Sequence, residues 1–200
     1  MQEVLSNEYG AEEITVALFR MGPTKAPSLD GMNALFYQKF WHIVGNDVIN
    51  VVLDFLNTGN MVPDINYTHI VLIPKVKSTE KMSDYKPIRL CNVIYKIISK
   101  VLANKQKLIL PQLISPTQRA FVLDHLITDN VLVAYETLHA MHSRKKGKKG
   151  ALALKLDVSK AYDRVEWSFL MGMIIKLGFL EGWIDRVMSC VTTPLILSSH

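Results

Sequence analysis

Asp157 closes the apolar run ALALKLD (151–157), and Asp163 follows six positions later in DVSKAYD. A carboxylate at the C-terminal end of a buried strand suits a hard cation such as Mg²⁺, which takes oxygen ligands. Two such ions about 3.5–4 Å apart clamp the attacking and leaving oxygens of a phosphoryl transfer. That chemistry needs several carboxylates, and Asp157 supplies one. Asp163 lies where the chain turns into a helix, beside Arg164, so capping that helix suits it better. An isolated aspartate at position 157 is equally well explained by strand-end or capping hydrogen bonds.

Other reactive residue types are less suggestive. His139 and His142 stand three apart on a helical stretch, with no carboxylate at ligand spacing. Cys91 and Cys190 are far apart and form no CxxC pair, which argues against zinc. Free, buried thiols in a reducing compartment fit them. Phe36, Tyr37, Phe40 and Trp41 recur at helical spacing, which fits core packing better than base stacking. There is no glycine-rich phosphate loop and no Ser/His/Asp arrangement.

The chain of 200 residues is 49% apolar and 20% charged, enough to bury a core. No apolar run approaches the ~20 residues of a membrane span. The start, MQEVLSNEYGAEEI, is acidic and polar, unlike a secretory signal. The net charge of +5 is uneven: residues 1–60 carry three basic and seven acidic side chains, residues 61–120 ten and three. A phosphate-rich partner would meet such a central segment. A solvated lysine-rich surface explains it as well. The cationic stretch SRKKGKKG (143–150) reads either as a backbone contact or as a solvated turn.

The elements that must position these groups follow from periodicity. Ile14, Ala17, Leu18 and Met21 predict a helix over 11–21, ended by Gly22-Pro23. LFYQKFW predicts a second. Asp47 is expected to cap a third, carrying Val48, Val51, Val52 and Phe55 and stopped by Gly59. THIVLIP (68–74) and YKPIRL (85–90) predict a hairpin whose long loop is expected to be mobile. Residues 93–110 predict a helix closed by Pro111, with Lys96, Lys100 and Lys105 on its polar face. Thr128 or Asp129 is expected to cap a helix carrying Val131, Ala134, Tyr135, Leu138 and Met141. ALALKLD reads as a strand buried on both faces. Helices follow Asp163 and cover 183–191, and PLILSSH begins a strand.

Several stretches, taken in order, resemble a known family. They are NYTHIVLIPK, DYKPIRLCNVIYKIISKVLANK, LISPTQRAFV, ITDNVLVAYETLH and ALKLDVSKAYDRVEWSFL, followed by KLGF and WI. Together they resemble the reverse transcriptase of plant LINE-type (non-LTR) retrotransposons, an RNA-directed DNA polymerase, from about residue 20 to 193. DVSKAYD looks like that family's first catalytic motif.

The resemblance implies an α+β fold: a partial right-hand polymerase, fingers plus incomplete palm, helix-rich with a few antiparallel strands. Residues 1–22 would be a helical lead-in and 23–200 the fingers and partial palm. Asp157 would be the catalytic aspartate that binds Mg²⁺. The backbone at Val158 would lie near the nucleoside triphosphate, and Tyr162 would exclude a 2′-hydroxyl. Lys75 and Lys86 would reach the incoming phosphates. Gln118 and Phe121 would shape the pocket near template and primer. The implied partners are an RNA template, a DNA primer and deoxynucleoside triphosphates, with no membrane, and the implied location is the nucleus or cytoplasm.

Some positions depart from the family pattern. RPIS has become Lys86-Pro87-Ile88-Arg89, and lysine loses the planar two-pronged phosphate contact of arginine. AFV is followed by Leu123-Asp124-His125 in place of PGR. KAPGPDG has become KAPSLDG, which alters a tight loop. No Asp-Asp pair occurs among the 200 residues. The aromatic-x-Asp-Asp turn that completes the family's metal site is therefore expected beyond His200. The isolated chain is expected to hold Mg²⁺ weakly and to be inactive. The alternatives are a non-catalytic nucleic-acid-binding module or a decayed retroelement relic.

Overall fold

A computed structural model describes residues 5, 7–28, 30–115, 118, 126–143, 152–154, 156, 161–193 and 196–197. Of Ile127, Tyr162, Asp163, Ile196 and Leu197 it describes the backbone alone. The chain divides into two units, residues 1–105 with 167–200, and residues 106–166.

In the first unit, α1 (Ala11–Phe19) starts where the Glu13 carboxylate accepts the Gly10 N–H at 3.0 Å. That contact satisfies one of the donors a helix start leaves unpaired. Ile14, Ala17 and Leu18 are its buried stripe. The helix is two residues shorter than its periodicity predicts, and Met21 still packs on the core. Next, α2 (Ala34–Lys39) is capped by Asn33, whose Oδ1 accepts the Phe36 N–H at 3.1 Å. Gln38 ties α2 to the end of α1 by donating to the Leu18 and Met21 carbonyls at 3.0 and 3.1 Å.

Helix α3 (Trp41–Thr58) begins six residues before Asp47, so Asp47 lies inside it and caps nothing. The amphipathic run extends upstream through Trp41 and Val44, which pack on the core, and this outweighs the capping preference. Gly59 ends α3 at φ +82°, as its position predicts.

Strands β1 (Thr68–Pro74) and β2 (Tyr85–Cys91) form the expected antiparallel hairpin, from Thr68↔Cys91 to Pro74↔Tyr85. The third strand, β3 (Ile196–Leu197), runs parallel to β1, so the sheet order is β2-β1-β3 and the sheet is mixed. α4 (Val93–Leu113) buries Val93, Ile97, Ile98, Val101 and Leu102 against α1 and α3 residues in one core. Lys105, expected on the polar face, is only 5% exposed. Its ammonium donates to the Asn7 carbonyl and sits 3.7 Å from the Tyr9 ring centre. A cation can be buried there because it keeps an acceptor and a π-face. α6 (Trp167–Lys176) and α7 (Glu181–Thr192) complete the unit. Trp183 and Cys190 of α7 are buried, and the Tyr95 hydroxyl donates to the Cys190 carbonyl. Both cysteines are free thiols, Cys190 buried and Cys91 half-buried.

The second unit takes the last turns of α4, α5 (Ile127–Ser143) and a 3₁₀ turn, Ala161–Arg164. Pro111 does not close α4, which continues to Leu113. Proline lacks an N–H, yet the Ile114 N–H still reaches the Leu110 carbonyl at 3.0 Å, so the last turn survives. Asp129 lies in the first turn of α5 and does not precede it; its carboxylate accepts the Leu126 N–H at 3.3 Å. The strand expected at 151–157 is not formed among its described residues. Leu152, Leu154 and Leu156 are 90%, 75% and 82% exposed, so they lack the layers on both faces that a buried strand requires.

Candidate functional site

The β1–β2 hairpin presents two of the residues assigned to the incoming nucleotide. Lys86 stands opposite Ile73 in the ladder, and Lys75 follows Pro74, its N–H donating to the Asp84 carbonyl at 2.7 Å. Side chains alternate along a strand, so Lys75 and Lys86 share one face of the hairpin and Arg89 takes the other. Both lysines are exposed.

The loop between the strands, expected from its length to be mobile, carries a set of local hydrogen bonds. The Asp84 carboxylate accepts the N–H groups of Lys81 and Glu80 at 3.0 and 3.1 Å, and the Ser83 hydroxyl at 3.3 Å. The Lys75 ammonium donates to the Ser83 carbonyl at 2.8 Å. Thr79 and Tyr85 share a hydroxyl–hydroxyl bond of 2.7 Å. The backbone N–H groups of Lys81 and Glu80 hold the Asp84 carboxyl below the usual carboxylate range, with smaller help from Ser83 and Lys75. An ammonium carries three N–H donors, so Lys75 can meet a phosphate oxygen while it keeps the Ser83 carbonyl.

The remaining assigned residues fall within 106–166. Gln118 is exposed, and its N–H donates to the Ser115 carbonyl at 2.9 Å. Tyr162 has its backbone in the Ala161–Arg164 3₁₀ turn. The Asp163 backbone lies in the same turn, and the helix that follows starts at Trp167. Asp157, Val158 and Phe121 lie outside the described residues. Among the described residues no three His, Cys, Asp or Glu side chains come together to hold a metal ion. The described residues therefore form no metal site. His139 stacks on Tyr135 at 6.1 Å.

Sequence reading missed one feature of the first unit. Arg20, Lys25, Lys96 and Lys100 line a single cavity of about 450 Å³. Lys96 and Lys100 were legible as one helix face, but Arg20 and Lys25 join them only through the turn after α1.

The chain matches the family model described as reverse transcriptase (RNA-dependent DNA polymerase) over residues 73–198. It belongs to that family. It is 30% identical to an uncharacterised 149 kDa protein of transposon TX1 from Xenopus laevis, over 89% of this chain and 13% of that protein. It is 23% identical to a retrovirus-related Pol polyprotein from type-2 retrotransposable element R2DM of Drosophila melanogaster, over 92% of this chain and 17% of the relative. A Pol polyprotein from type-1 retrotransposable element R2 of Popillia japonica is 27% identical over 62% of this chain and 17% of its own length. The kinship is thus with reverse transcriptase domains of non-LTR retrotransposons. The chain spans less than a fifth of each of these relatives.

Proposed function

We propose that residues 23–200 are the fingers and first part of the palm of an RNA-directed DNA polymerase that copies RNA into DNA within a longer protein. The observation that carries this is the family match over residues 73–198, which spans both the hairpin lysines and the DVSKAYD motif. In this reading Lys75 and Lys86 offer two ammonium groups on one hairpin face to the triphosphate of an incoming deoxynucleotide. Asp157 is one carboxylate for Mg²⁺, which when bound would neutralise developing phosphate charge. Val158 lies beside the triphosphate, Tyr162 screens the 2′ position of the sugar, and Gln118 and Phe121 border template and primer. The plant affiliation rests on the spelling of the motifs and belongs to the same proposal, as does action in the nucleus or cytoplasm.

These 200 residues contain no Asp-Asp pair, so the isolated chain is expected not to elongate a primer. The test is extension of a DNA primer on an RNA template with deoxynucleotides and Mg²⁺. Product from the isolated chain that Asp157→Ala abolishes would overturn the inactivity.

A further inference from the structure

None of the four cations that line the cavity, Arg20, Lys25, Lys96 and Lys100, is among the residues assigned to the nucleotide. Lys96 and Lys100 stand one turn apart on α4, in line with Val93 and Ala103, which give the cavity an apolar wall. Arg20 follows the last turn of α1, and Lys25 comes from the turn after it. Gln38 pins that turn through the Met21 carbonyl, and the Leu35 N–H pins it again through the Pro23 carbonyl at 3.1 Å. Gly22 leaves the space in which the Lys25 stem folds, since a Cβ there would meet Lys25 Cε at 3.3 Å.

Among the described residues no carboxylate lines the cavity. Among the described residues, the partner found for these cations is a long contact of 3.5 Å from the Lys96 ammonium to the Ala26 carbonyl. Four like charges around one opening raise a positive potential that a bound anion relieves. A cavity of about 450 Å³ with cations on two walls is larger than one phosphate group needs, and its wall continues along α4.

We infer that this cavity clamps the phosphate backbone of a nucleic-acid strand, holding successive phosphodiesters between the α1–α2 turn and α4. The inference rests on the polymerase reading for the kind of strand, and on the unbalanced charge for the contact itself. The apolar wall gives sugar and base edges a surface to lie against, so affinity does not require a particular sequence.

The test is fluorescence anisotropy of a labelled oligoribonucleotide against the purified chain, over a salt series. K96Q/K100Q lowers affinity about tenfold at about 50 mM salt and reduces the slope of log affinity against log salt by about 1.4, the value for two single-strand phosphates. K96R/K100R restores both, and circular dichroism of all three proteins is the same. Equal affinity and slope for K96Q/K100Q and the unaltered chain overturn the clamp while leaving the polymerase reading standing. Displacement of the oligonucleotide by dATP at equal phosphate concentration assigns the cavity to free triphosphate and overturns the strand. An unaltered chain that binds no oligonucleotide at about 50 mM salt overturns the clamp and counts against the polymerase reading as well.

Discussion

Asp84 shows how one short side chain can fix a ten-residue connection. Its carboxylate gathers two backbone N–H groups and a hydroxyl, and the bonds favour its charged form. With its folded pKa depressed, Asp84 gives stability that is present above the ordinary carboxylate value and lost as pH falls through the lowered one. The amide resonances of Glu80 and Lys81 should therefore titrate with a midpoint below about 3.9, the ordinary aspartate value. A midpoint at or above that value would show that the loop is not held this way. Gly59 offers a test of backbone geometry alone. At φ +82° with no atom within 4 Å of a built Cβ, its substitution meets strain and no clash. Gly59→Ala should cost about 1 kcal/mol in chemical denaturation, and Gly59→Asn less, because asparagine tolerates the left-handed region. Equal stability of all three proteins would remove the strain argument. At this scale the sequence was informative where local chemistry decides, as at Gly59. It was uninformative at Lys105, because no local pattern shows that Asn7 and Tyr9 will surround the ammonium.

At the scale of elements, α4 brings Val93, Ile97, Ile98, Val101 and Leu102 to the core of the first unit. Ile98 is fully buried on it, whereas Leu108 is 60% exposed. Ile98→Ala should destabilise the chain by about 2–5 kcal/mol and Leu108→Ala by less than about 0.5 kcal/mol, measured by urea midpoints. Similar costs would mean that α4 packs along its whole length. The hairpin was legible from the β-branched density of THIVLIP, and most helices because a period of 3.6 is written into α1, α3 and α4. Boundaries were less so: Asp47 and Pro111 look like signals that start and stop helices, but hydrogen bonding and packing on either side carry the helix through both. The strand expected at 151–157 shows the opposite failure. Its apolar run has the right composition, but a buried strand also needs neighbours on its edges and faces, and no local pattern guarantees them.

For the molecule as a whole, the half-buried Tyr95 and the buried Cys190 contribute to its response to alkali. Burial pushes the Tyr95 hydroxyl and the Cys190 thiol up to about 12, from ordinary values of 10.0 and 9.0. Between those values the folded chain holds more protons than the unfolded one. The stability they confer is full below about pH 9 and is lost as pH rises towards 12. Lys105, whose pKa burial lowers, acts in the opposite sense. Comparing Tyr95→Phe with the unaltered chain isolates one contribution: the variant should lose less stability between pH 10 and 12, and parallel profiles would contradict the assignment. The family was legible because its motifs are local in sequence; the cationic cavity was not, because Arg20 and Lys100 meet only through the fold. The central claim is that these residues form part of an RNA-directed DNA polymerase whose catalysis passes through Asp157. The most direct measurement is primer extension on an RNA template by the protein from the whole open reading frame that contains them. The account predicts elongation that Asp157→Ala abolishes; no elongation, or elongation that survives this substitution, would contradict it.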